Sequence, residues 1–271
     1  MNIGFDISQA SDKTAGCGVL AKYYAYELLR KDTDLNFTFY GTFGPNFCDP
    51  DINLDINSNN INNQLKFCFN NKNQAKEFWL QENIENKIDN PDIIHCNNFW
   101  CPPNINKAKI IYTLYDFSFL EFPEYANKEN INICLNGLIS AVQNADHFVA
   151  ISNYTKTNFL EYFPFINENK VSVIYPGFKP INKKQYNPKN KMFEKNNFFL
   201  TVGTIEPRKN HIRLIKSYSL YFKKTVKHSI PKQLIIVGAN GWGNIDLIKL
   251  IKLEGLEDFI KIIGYVDELL L

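Results

Sequence analysis

Arg208 and Lys209 sit side by side in a short polar turn between two stretches of different period. Before them, residues 198–202 form an apolar run that ends at Gly203; after them, Ile212, Leu214, Ile215, Tyr218 and Phe222 recur at helical spacing. The pattern predicts strand, tight turn, helix, with two cations at the start of the helix. Free N–H groups and the helix dipole favour an anion at such a place. Arg208 adds a planar fork for phosphate oxygens and Lys209 a point charge. The chemistry is therefore that of a phosphate or diphosphate site, and on these residues alone two ordinary solvated cations are the competing reading. Gly16 and Gly18 stand in a second arrangement of this kind, a loop between a strand at 3–7 and a helix at 19–29. Glycines there let backbone amides approach a phosphate or a sugar, although a lone G-x-G also serves a simple tight turn. Cysteines occur at 17, 48, 68, 96, 101 and 134. Cys96 and Cys101 lie near His95, but their spacing matches no standard zinc pattern, so buried reduced thiols and no metal are expected.

These residues are carried by an alternation of short apolar strands and amphipathic helices, which implies an α/β protein with parallel sheets. Strands are expected at 3–7, 37–40, 65–69, 92–95, 109–115, 146–151 and 171–174, and again at 198–202, 234–237 and 259–263. Helices are expected at 19–29, at 75–88, along the stripe Ile131, Cys134, Leu135, Leu138, Ile139 and Val142, after Ser152 as N-cap, from Ile212 to about 227, and at 245–253. The 271 residues suffice for two modest cores. Residues 1–178 form one expected domain, the polar, proline-bearing segment 179–195 a linker, and 196–271 a second domain.

The motifs also resemble a known family. VGTIEPRKNHIRLI, at 202–215, is similar to the loop that opens the second domain of GT-B glycosyltransferases, specifically the family 4 retaining enzymes. YDFSFLEFPE at 115–124 is similar to that family's HDLSFLxFPE, and Ala145, Asp146, Val149, Ile151 and Ser152 match a further signature. The resemblance implies two Rossmann-like domains, the first on the acceptor side and the second binding a nucleotide sugar. Donor contacts carried over in this way are Gly16, Gly18, Gly203, Thr204, Arg208, Lys209 and Val266. Tyr115 and Asp116 take the catalytic positions, Tyr115 standing where the family usually has histidine; a phenol donates a hydrogen bond but is no base near neutral pH. The resemblance covers the first domain and about half of the usual second one, without the family's glutamate pair, which implies an incomplete second domain and a truncated or split chain.

A retaining transferase is thus expected, moving a hexose such as mannose from a nucleotide-diphosphate donor to a glycan or lipid-linked acceptor in bacterial surface polysaccharide, including lipopolysaccharide, synthesis. No cofactor is expected beyond the donor substrate. The alternative is a non-catalytic remnant, or a subunit that needs a separate chain carrying the missing half. An epimerase of nucleotide sugars is disfavoured by Tyr115, and a nicotinamide oxidoreductase by the lack of a compact G-x-G-x-x-G with an acidic partner. A net charge of +2 gives no footprint for nucleic acid. With neither a secretory signal nor a membrane-length apolar run, a cytoplasmic place is expected, with peripheral membrane contact implied by the acceptor class. Residues 207–232 contain no acid and eight Lys or Arg; a solvated face is the expected reading, an anionic membrane patch the other.

Overall fold

The computed structural model describes residues 1–10, 16–30, 34–47, 63–65, 69, 71–177, 197–227, 229–243 and 246–266. The chain divides into two compact units, residues 1–123 with 128–177, and residues 124–127 with 178–271.

In the first unit the strands are β1 (Asn2–Asp6), β2 (Asn36–Tyr40), the pair β3 (Thr42–Phe43) and β4 (Asn46–Phe47), β5 (Asn63–Leu65), β6 (Ile93–Cys96), β7 (Lys109–Leu114), β8 (His147–Ala150) and β9 (Val171–Val173). The helices are α1 (Gly16–Arg30), α2 (Lys72–Trp79), α3 (Ser118–Glu121), α4 (Lys128–Asn144) and α5 (Asn153–Tyr162). Seven strands make one parallel sheet in the order β5-β2-β1-β6-β7-β8-β9, while β3 and β4 pair antiparallel on their own. Strand order reverses at β1 and β6, so a crevice is expected at their carboxyl ends. Parallel strands are covered on both faces, which explains the unbroken apolar character of β7. Phe5, Phe39, Ile94 and Phe148 are fully buried.

The helix expected at 75–88 is divided. Asn71 caps α2 by accepting from Gln74 N at 3.0 Å, and α2 ends at Trp79. A 3₁₀ turn follows at Ile84–Lys87, flanked by Asn83, Asp89 and Asn90 at positive φ. Asn and Asp tolerate the left-handed region because their short side chains bond locally, so they interrupt a pattern that is otherwise apolar at helical intervals. Trp79, Ile84 and Ile88 are buried all the same, and Trp79 Nε1 donates to Thr42 O at 3.1 Å. Glu85, also buried, accepts from the N–H groups of Asn106, Lys107 and Ala108 at 3.2, 2.7 and 2.9 Å. Burial alone would raise its carboxyl, but those donors and the Lys107 charge hold it below the ordinary range. Ser152 is the N-cap of α5, its Oγ accepting from Thr155 N at 3.1 Å.

The second unit contains β10 (Phe198–Val202), α6 (His211–Thr225), β11 (Gln233–Val237), α7 (Leu247–Leu253) and β12 (Ile260–Gly264). Its three strands are parallel in the order β10-β11-β12. Ile215 and Tyr218 of α6 and Leu247 and Ile251 of α7 bury against Leu234, Ile236 and Ile260 of the sheet. Among the described residues no helix is long and apolar enough to cross a membrane.

Candidate functional site

The turn after β10 is built by backbone contacts between strand ends. Gly203 N donates to Val237 O at 2.9 Å, and Gly238 N to Gly264 O at 2.8 Å. Ile205 N then donates to Ala239 O at 2.9 Å, and Gly241 N to Ile205 O at 3.0 Å. The loops after β10 and β11 therefore lie backbone to backbone. A Cβ on Gly238, whose φ is +155°, would stand 1.9 Å from Gly203 O. Only glycine fits there. Gly203 itself has φ +156°, and the Lys209 side chain passes over it, with Cε 3.6 Å from where a Cβ would be. Thr204 packs its methyl against Gly241.

Pro207–Lys209 form a 3₁₀ turn, and Asn210, left-handed at φ 54°, swings the chain into α6. Among the described residues no side chain caps α6. Its first N–H groups are thus left for another acceptor, the condition under which a helix start attracts an anion. Arg208 Nη2 lies 2.6 Å from Glu206 Oε1, with Glu206 largely covered and Arg208 half exposed. This pairing holds the guanidinium and offsets part of its charge. His211, the first residue of α6, is buried, and its Nδ1 has no hydrogen-bond partner among the described residues. Burial, assisted by the Lys209 charge, pushes its pKa down, so the ring is held neutral. Val266 follows β12, at the sheet edge where the other turns lie. The second unit thus brings Gly203, Thr204, Arg208, Lys209 and Val266 to one edge, the carboxyl ends of three parallel strands.

A separate polar network occupies the switch point of the first unit. Asp6, the last residue of β1 and 1% exposed, accepts from Ser8 N at 2.9 Å, Ser8 Oγ at 2.7 Å and Asn97 N at 3.2 Å. Burial pushes its carboxyl up to about 7 against the lowering effect of those donors. Asn98 Nδ2 donates to Ser8 Oγ at 2.6 Å, and Gln9 donates to the Asn98 side chain. Tyr115 is buried, and its hydroxyl lies 3.1 Å from Asn97 O and 3.0 Å from Asn97 Oδ1. Burial raises the phenol well above its ordinary value, so it stays protonated and donates. Asp116 is exposed; its Oδ1 accepts from Ser118 N at 3.0 Å and Ser118 Oγ at 2.7 Å, bracing the start of α3. The pattern-based reading singled out Tyr115 but not Asp6, Asn97 or His211.

One placement is corrected. Gly16 and Gly18 were expected in the loop before the helix, but α1 begins at Gly16, and the loop at 11–15 lies outside the described residues. First-turn N–H groups have no intrahelical partner, so glycine costs less there than in a helix interior. Gly18 is buried in line with Ala21, Ala25 and Leu29, a packing role on the inner face of α1. Cys96 and Cys101 are buried free thiols, and among the described residues no three His, Cys, Asp or Glu side chains are grouped to hold a metal.

Two parallel-sheet α/β units with turns at the carboxyl ends of their strands define the GT-B class. Solved structures share this fold: WaaG, a glycosyltransferase involved in lipopolysaccharide biosynthesis, aligns over 98% of this chain and 70% of its own, with TM-score 0.62 and 12% identity. The lipopolysaccharide outer core galactosyltransferase WaaB, in its apo form, aligns over 98% and 69%, with TM-score 0.56 and 16% identity. The family model for Glycosyltransferase Family 4 matches residues 36–180, and that for glycosyl transferases group 1 matches residues 182–270. The chain belongs to glycosyltransferase family 4. It is 24% identical over 181 residues to O-antigen chain mannosyltransferase B of Escherichia coli, a match covering 65% of this chain and 46% of that relative. The chain thus spans about half the length of the curated relative it matches.

Proposed function

We propose that the protein is a retaining glycosyltransferase that moves a hexose, mannose, from a nucleotide-diphosphate sugar to a glycan or lipid-linked acceptor in lipopolysaccharide or O-antigen synthesis. The observation that carries this reading is the turn after β10. It combines an uncapped α6 start, the glycine-lined backbone at Gly203 and Gly238, and the adjacent cations Arg208 and Lys209. Breaking the bond from sugar to diphosphate leaves charge on the phosphate oxygens, and preorganised donors there lower the barrier. Arg208 and Lys209 supply that charge stabilisation, Gly203 and Thr204 line the phosphate path, and Val266 contacts the base. No protein nucleophile enters the scheme; the departing phosphate takes the acceptor's proton on the same face of the sugar. In the first unit, Gly16 and Gly18 serve the donor side through the backbone at the start of α1, Gly18 also packing that turn onto the inner face. Tyr115 and Asp116 act on the sugar, Tyr115 by exchanging its Asn97 bond for a sugar hydroxyl. The choice of mannose draws on the Escherichia coli relative's name. A cytoplasmic enzyme in peripheral contact with a membrane fits a lipid-linked acceptor.

The test is a thermal-shift titration with UDP, GDP and their sugar conjugates, on the wild type and on Arg208→Ala/Lys209→Ala. One nucleotide should raise the melting temperature as its concentration passes its dissociation constant, and the double variant should lose the shift. An equal shift in the double variant would remove the turn from the donor site. Sugar transfer measured on the same samples separates the transferase from the alternative of a remnant or a subunit working with a separate chain. That alternative predicts nucleotide binding without turnover.

A further inference from the structure

The helices of the second unit carry an outward face whose composition the donor site does not explain. Strands β10, β11 and β12 are consecutive parallel neighbours, and crossovers of one hand place both connecting helices on the same side of the sheet. They touch: Ser219 Oγ of α6 donates to Glu254 Oε2, just past α7, at 2.6 Å. With Ile215, Tyr218, Leu247 and Ile251 turned to the sheet, the opposite face of the pair looks outward.

That face is both apolar and basic. Leu220 is 64%, Ile248 63% and Leu253 76% exposed. Around them Arg213, Lys216, Lys224, Lys249 and Lys252 are exposed and form no ion pair among the described residues. Lys223 pairs with Glu254 at 3.6 Å, and the charge of Lys216 also acts on that carboxylate. Along α6 Arg213 and Lys216 stand three residues apart, and Lys224 follows two turns beyond Lys216, so these like charges share the outward side at some cost to the helix. A water-facing helix of this length ordinarily interleaves acids, and residues 207–232 contain none. Large apolar side chains in the midst of unpaired cations suit a surface that is anionic outside and apolar beneath. Nucleic acid phosphate would satisfy the cations and leave the leucines unused.

We propose that the outward face of α6 and α7 docks on an anionic lipid surface. Arg213, Lys216, Lys224 and Lys252 meet headgroup phosphates, and Leu220 and Leu253 enter the interfacial layer. This assigns the membrane contact of the transferase reading to a defined surface, and its test uses neither donor nor acceptor, so either idea can fail alone.

The experiment is co-sedimentation of the full chain with vesicles of phosphatidylcholine alone and of phosphatidylcholine with about one third phosphatidylglycerol. Binding should appear only on the anionic vesicles and weaken as added salt shortens the screening length from about 10 Å to about 3 Å. Each cation near such a surface is worth about a fivefold change in partitioning, so Lys216→Gln/Lys224→Gln/Lys252→Gln should weaken binding on the order of a hundredfold. Leu220→Ser/Leu253→Ser should abolish the binding that persists at high salt. A control with the same charge loss elsewhere, Lys76→Gln/Lys107→Gln/Lys128→Gln, changes exposed first-unit residues and should bind as the wild type does. Equal binding to neutral vesicles, wild-type binding by the α6–α7 charge variant, or equal loss in the control would overturn the proposal. A lipid-free dimer that Leu220→Ser dissociates would overturn it too, in favour of a second copy as the occupant.

Discussion

Asp6→Asn tests the switch-point network through its pH dependence. The Asp6 carboxyl is pushed up to about 7 in the fold by burial, from an ordinary 3.8. Folded protein therefore keeps a proton that the unfolded chain releases, and stability must fall as pH rises through that interval. At about 1.4 kcal/mol per pH unit the whole interval is worth on the order of 4 kcal/mol, of which about 2 kcal/mol falls between pH 5.5 and 8. His95 acts with the opposite sign. Packed on the Phe5 ring and bonded through Nε2 to Thr113 Oγ1 at 2.8 Å, it is pushed down to about 4 by burial, so its contribution is lost as pH falls below 6.5. The two trends mask one another in the wild type below about pH 6.5. A difference measurement removes His95, which both proteins share. Urea unfolding followed by tryptophan fluorescence suits this, in a Trp242→Phe background that leaves only Trp79 and Trp100, both in the first unit. An amide in place of Asp6 turns a donor toward Asn97 N–H, so the variant should start less stable at pH 5.5. It should then regain about 2 kcal/mol on the wild type by pH 8. A difference that stays flat, or that moves in the wild type's favour as pH rises, would show that Ser8 and Asn97 outweigh burial and keep the carboxylate ionised.

Two other substitutions probe the sites. Gly238→Ala puts a methyl 1.9 Å from Gly203 O at a φ that side chains avoid, so the loops after β10 and β11 must part. The expected cost is at least about 1–3 kcal/mol in urea unfolding of the second unit, with loss of the nucleotide thermal shift; a shift of wild-type size would disconnect the donor site from this contact. Tyr115→Phe leaves Asn97 O and Oδ1 without their phenol donor in a buried place, at an expected cost of about 1–3 kcal/mol. If Tyr115 meets the sugar only by leaving Asn97, transfer should fall while nucleotide affinity holds; unchanged transfer would confine Tyr115 to packing.

The strand–turn–helix at 198–216 was legible because its determinants are local. An apolar run, a glycine and a 3.6-residue stripe each act within a few positions, and β10 spans the expected 198–202. The alternation into a parallel α/β protein was legible for the same reason, as were the Ser152 cap and the Trp79, Ile84 and Ile88 core. What tertiary structure decided depends on groups remote in the chain. Asp6 meets Asn97 across 91 positions, Asn98 meets Ser8 across 90, and only this closure takes the carboxylate out of water. Tyr115 looked available until β6 ended beside it and supplied Asn97. Gly16 and Gly18 read as loop residues because glycine is a poor helix former, yet packing of Gly18, Ala21 and Ala25 on the sheet outweighs that propensity. Local preference sets which segment becomes which element; burial and partnership, set by neighbours far along the chain, decide which side chains remain available for chemistry.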